Sequence, residues 1–107
     1  MFPKVTYASG WQPVDDYETP AKAYRSGVGV ELENGLKYTL FFVTPLRLNQ
    51  ELNYRLTNES VAFFAEANLI VVSDISREII ENTVKQLYDQ GFFKEIDNSH
   101  FGGRVSD

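Results

Sequence analysis

The chain has 107 residues, 43% hydrophobic and 14% aromatic, with a formal net charge of −5. This is the composition of one globular domain and not of a disordered segment. The absence of cysteine excludes a disulfide framework and thiolate chemistry, and the lack of any Lys/Arg cluster excludes a phosphate-binding surface for nucleic acid. No run approaches the ~18 apolar residues of a membrane span, and the opening MFPKVTYASGW lacks the apolar core of a signal peptide. A soluble, unexported, cytoplasmic protein is expected. Residues 61 to 107 carry eight acids against four bases, so the C-terminal half is the acidic one; an acidic surface steers basic partners.

In chain order, residues 1 to 27 are the least regular, punctuated by Pro3, Gly10, Pro13, Pro20 and Gly27. Lys4 to Tyr7 reads as an edge strand. Trp11, Tyr17 and Tyr24 are expected to fold back over the sheet and cap its core. Asp15, Asp16 and Glu18 form an acidic cluster, but the glycine and spaced oxygen ligands of a calcium loop are missing, so they read as solvated loop charge with no metal.

Val28 to Val43 is the strongest pattern. Val28, Val30 and Leu32 alternate with Gly29, Glu31 and Glu33, and Leu36, Tyr38, Leu40 and Phe42 continue the alternation beyond Asn34-Gly35. A two-residue turn would place Glu31 and Glu33 on the face of Leu36 and Tyr38. A three-residue loop, Glu33-Asn34-Gly35 with Gly35 left-handed, instead sets Leu32 opposite Leu36, Val30 opposite Tyr38 and Val28 opposite Leu40. The same register brings Glu31 opposite Lys37 as an exposed ion pair worth ~0.2 to 1 kcal/mol. The second strand turns apolar on both faces at Phe41-Phe42-Val43 and is expected inside the sheet.

Thr44-Pro45 ends the strand and supplies an N-cap and a first helical residue. With Leu48, Leu52 and Leu56 at i, i+4, i+8, a short helix from Pro45 to about Asn53 is preferred over an alternating strand through Leu46, Leu48, Leu52, Tyr54 and Leu56. Val61 to Ala67 fits either a helical turn or a short strand. Asn68 to Ser73, NLIVVS, reads as a buried strand at the centre of the sheet. The segment from about 74 to 90 is the clearest helix, with Asp74 or Ser76 as N-cap and Gly91 just past its end. Ile80, Val84, Leu87 and Tyr88 form its buried stripe with Ile79 at the margin, and Arg77–Glu81 and Glu81–Lys85 are i,i+4 pairs. Phe92, Phe93 and Ile96 make a last short strand or docking segment, followed by a loose polar tail, 97 to 107. The sum is one α+β domain, a mostly antiparallel sheet with the 74 to 90 helix across one face.

Candidate chemistry is sparse. His100 is the only histidine, and its pairing with Asp97 falls in a Gly-flanked tail without the preorganised shell that a general acid and base require. The glycines do not lead into a helix N-terminus as a phosphate loop does. No catalytic residue, cofactor or metal is assigned.

The order of these elements resembles a family of small acidic immunity proteins from bacterial polymorphic toxin systems. The likeness rests on the strand exit Thr44-Pro45-x-x-Leu48, the run Leu69-Ile70-Val71-Val72, and Asp74 leading into a helix with Glu78, Ile79 and Ile80. It covers about residues 28 to 93. Arg47 and Ser73 stand where the pattern has aromatic residues. The resemblance implies a cytoplasmic inhibitor that binds its cognate toxin without catalysis; the acidic and aromatic residues Asp15, Asp16, Tyr17 and Glu18, with Glu51 and Tyr54, are the surface expected to cover a basic toxin site. Exposed Tyr beside carboxylates suits such an interface. The alternative is an assembly domain that dimerises through Phe41, Phe63, Phe64, Phe92 and Phe93.

Overall fold

The computed structural model describes residues 2 to 96. His100, Asp97 and the 97 to 107 tail lie outside them. Four strands, β1 (Lys4–Tyr7), β2 (Tyr24–Glu31), β3 (Lys37–Val43) and β4 (Leu69–Val71), form one sheet in the order β1-β2-β3-β4. Among the described residues, helices α1 (Asp15–Lys22), α2 (Pro45–Glu59) and α3 (Arg77–Asp89), with a helical segment at 92 to 96, complete an α+β domain. The β1–β2 and β2–β3 pairs are antiparallel and β3–β4 is parallel.

The hairpin register follows from its alternation. Val28 pairs with Leu40, Val30 with Tyr38 and Glu31 with Lys37, and Leu32 N–H donates to the Leu36 carbonyl at 2.9 Å across the three-residue loop. Gly35 sits at φ +86°, which a residue with a Cβ rarely adopts. Glu31 and Lys37 face each other without closing an ion pair; the pairs among the described residues are Arg25–Asp15, Arg47–Glu51 and Arg77–Glu81.

At its other end β2 carries a bulge between Arg25 and Val28. Gly27 provides it at φ +66°, and a Cβ there would stand 2.9 Å from the Ala8 Cβ. The extra residue puts Arg25, opposite Phe42, on the same face as Val28, opposite Leu40. Arg25 therefore reaches Tyr7 and Trp11, while Tyr24 turns to the other face and stacks on Phe41, centroids 5.9 Å apart.

One face of the sheet holds the core. Val28, Val30, Leu32, Leu40 and Phe42 pack with Val72, Ile75, Ile80, Val84 and Phe93. Helix α3 supplies Ile80 and Val84, with Ile79, Leu87 and Tyr88 partly buried beside them, and Ser76 caps it by accepting from Ile79 N–H at 3.2 Å. The stripe is thus the one that the helical periodicity predicts. Glu81 pairs with Arg77 at 2.9 Å, not with Lys85.

Four expectations need correction. Leu69–Val71 is an edge strand and not the centre, with Val71 50% exposed; the apolar residues that fill the core, Val72 and Ile75, follow the strand. Helix α2 runs on to Glu59, because parallel β3 and β4 require a crossover that returns the chain along the sheet. Residues 61 to 66 have neither helix nor strand; 92 to 96, by contrast, do dock on the core as expected, in helical form, with Phe93 buried and Phe92 and Ile96 packed against it. Asp15 to Lys22 is a helix, with Asp15, Asp16 and Glu18 in its first turn, where carboxylates suit the macrodipole.

Of the expected aromatic cap, only Trp11 packs on the core. Tyr17 is 77% exposed and Tyr24 lies on the opposite face. Trp11 and Tyr7 meet edge to face at 4.9 Å, with the Arg25 and Arg77 guanidinium groups over both rings. Tyr7 Oη donates to Glu81 Oε2 at 2.9 Å. Burial, followed by that bond to Glu81, pushes the Tyr7 phenol far above its usual value. The native state thus holds this proton longer than the unfolded chain, so its contribution is complete below about pH 10 and is lost as pH rises beyond it. Denaturant unfolding from pH 9 upward is expected to show a steeper loss of stability for the parent than for Y7F. Parallel curves would refute the assignment.

Candidate functional site

The six residues expected at an interface fall in two places. Asp15, Asp16, Tyr17 and Glu18 open α1, whereas Glu51 and Tyr54 lie on α2. Asp15 is committed internally. It accepts the Gln12 backbone N–H at 2.7 Å and pairs with Arg25 at 3.2 Å, and these two contacts, the first the larger, hold its carboxyl below the usual range. Asp16 accepts from Trp11 Nε1 at 2.9 Å. Tyr17 and Glu18 remain on the surface, and neither side chain makes a hydrogen bond or ion pair among the described residues. Glu18 and Asp15 border an open hollow that also takes in Gly10, Thr19, Lys22 and Arg25.

Glu51 belongs to a different structure, a groove on the sheet face away from the core. Its lining is Tyr24, Phe41 and Val43 from the sheet, Arg47, Glu51 and Arg55 from α2, and Phe64 and Glu66 from the segment leading to β4. The cavity is about 200 Å³. Arg47, Glu51 and Arg55 stand at i, i+4 and i+8, one side of the helix. Leu48 and Leu52 are half-buried, whereas Leu56 is exposed, so α2 has no fully buried residue. Tyr54 is exposed and borders neither hollow.

Within the groove, Arg47 is fixed three ways. It donates to the Lys22 carbonyl at 3.0 Å and to Glu51 Oε1 at 3.2 Å, and its guanidinium lies 4.6 Å from the Tyr24 ring centroid. Arg55 lies over Phe64 at 5.0 Å, and Phe64 leans on Phe41 at 6.0 Å. Among the described residues the Arg55 guanidinium has no hydrogen-bond or ion-pair partner, and neither has the exposed Glu66 carboxylate. The arginine spacing was visible in the sequence but was eclipsed by the leucines between them. Arg47, the departure from the strand-exit pattern, is the residue that ties α2 to the end of α1.

The aromatic surplus is largely spent within the chain. Phe93 is buried, Phe92 is half-buried, and Phe41 and Phe64 pack together, which leaves Phe63, 65% exposed, as the one outward ring of the five. No group of three or more His, Asp or Glu that could hold a metal occurs among the described residues. None of their helices is long and apolar enough to cross a membrane. Comparisons of the chain with protein-family models, curated proteins and solved structures give no match.

Proposed function

We propose that the chain is a non-catalytic, cytoplasmic protein-binding domain of the immunity type, which covers a basic surface of a cognate toxin with the outer face of α1. The observation that carries this reading is the exposure of Tyr17 and Glu18 beside Asp16 on a helix that presents three acids in its first turn. A tyrosine offers a large contact area with few torsions to immobilise, and carboxylates around it accelerate encounter with a basic partner. Asp15, held by Arg25, fixes the helix and leaves the contact to its neighbours.

Co-expression with the toxin encoded by an adjoining gene tests the reading. The parent chain is expected to restore growth and to co-purify with the toxin. Y17A and E18K, at side chains without partners among the described residues, should weaken the complex by about tenfold or more each while leaving thermal unfolding within about a degree or two of the parent. Failure of rescue, or the lack of any such gene alongside, would overturn it.

A further inference from the structure

Beyond protein binding by α1, we propose that the groove between α2 and the outer face of the sheet is a binding site for a small aromatic carboxylate. The claim rests on three features. First, Arg55 presents a guanidinium with no anion or carbonyl to satisfy it among the described residues, and the face of Phe64, 5.0 Å away, holds it at the cavity wall. A planar guanidinium with its N–H groups unspent matches a carboxylate in two-point geometry. Second, the floor is aromatic and already ordered: Tyr24 stacks on Phe41 with 17° between the planes, and Phe64 closes the side. Offset or tilted packing of one more ring against these costs little reorganisation. Third, about 200 Å³ accommodates one ring with a short acid arm but not a nucleotide or an extended peptide.

Glu51 is occupied by Arg47, so this pair contributes little net field. Glu66 lies at the rim with no ion pair to either arginine, and it opposes an incoming anion. The lining is therefore formally balanced, and Arg55 is the cation in it that no carboxylate among the described residues pairs. Removal of the Glu66 charge should tighten binding, which an incidental hydrophobic dent would not do for a charged ligand alone.

Phenylacetate is the probe, with benzyl alcohol as its neutral counterpart, each titrated into the isotope-labelled chain and followed by amide and arginine side-chain NMR shifts. Phenylacetate is expected to bind saturably at about millimolar concentration, a value in keeping with ten heavy atoms. Benzyl alcohol should bind about tenfold more weakly. R55Q should lose about tenfold in phenylacetate affinity with no change for benzyl alcohol, and E66Q should gain about two- to threefold for phenylacetate only. F64L, which keeps the wall apolar but removes the ring under Arg55, should fall between R55Q and the parent. Shifts that map to residues other than the groove lining, equal affinities for acid and alcohol, or an R55Q chain that binds phenylacetate as the parent does would each overturn the assignment. The E66Q arm decides independently if R55Q proves poorly folded: unchanged or weaker acid binding in E66Q counts against the site.

Discussion

F42A is expected to lose about 3 to 5 kcal/mol of stability. Phe42 is fully buried in the interior strand, where it touches both the hairpin residues and the α3 side of the core. Alanine there removes the transfer energy of a whole ring and leaves a cavity in a sheet held by pairing on both sides, which restricts collapse. A domain of this size has only about 5 to 15 kcal/mol in total. The loss should therefore lower the midpoint of thermal unfolding by well over 10 °C. The control is F63A, at a ring 65% exposed, which should stay within about 0.5 kcal/mol of the parent. A comparable fall for both variants would show that Phe42 is not the centre of the core.

The second large effect concerns backbone geometry. G27A should cost about 1 to 2 kcal/mol for placing a Cβ at φ +66°, and more for the contact with the Ala8 Cβ at 2.9 Å. The two contributions are separable. A8G removes the contact and not the dihedral penalty, so the A8G/G27A double variant should recover part of the loss and remain below A8G. Denaturant midpoints of the four chains measure this as a coupling energy. A G27A chain as stable as its parent would mean that the bulge is not needed in its left-handed form, and the explanation for the side on which Arg25 and Tyr24 emerge would fall with it.

These two positions also mark what the sequence could and could not reveal. The hairpin around Phe42 was legible because its signal is local: alternation on both sides of a glycine, and only one loop length that keeps charge off the core face. The bulge at Gly27 was not, because nothing within the segment RSGV says that Ala8, just past the end of β1, will crowd it. NLIVVS was misplaced for a related reason. Apolarity alone does not separate a central strand from an edge strand that feeds core residues into the turn beyond it, and Val72 and Ile75 take that second role. Helix α1 is hidden in the sequence by Pro20 and a polar composition, and its apolar support comes from elsewhere in the chain.

The site was legible only in part. Tyr17 and Glu18 are as exposed as their composition implies, whereas Asp15 and Asp16 are drawn to Arg25 and Trp11. In the groove, Arg47, Glu51 and Arg55 share a helical face that spacing alone exposes. Their walls arrive from Tyr24, Phe41 and Phe64, on three separate stretches of chain, and only the fold brings these together.

The crossover from β3 to β4 carries a consequence for the order in which the molecule loosens. Helix α2 buries no residue fully, and β4 adds only three residues to the sheet by a parallel pairing, whereas the antiparallel strands and α3 share the buried cluster. Residues 45 to 71 are therefore expected to open at a fraction of the global unfolding free energy, with amides that exchange ahead of those in β2. One wall of the groove is built from this unit and the other from β2 and β3. Any occupant of the groove then acts as a clasp, with an affinity tied to how often the crossover lifts away, so that ligand affinity and local amide protection rise and fall together.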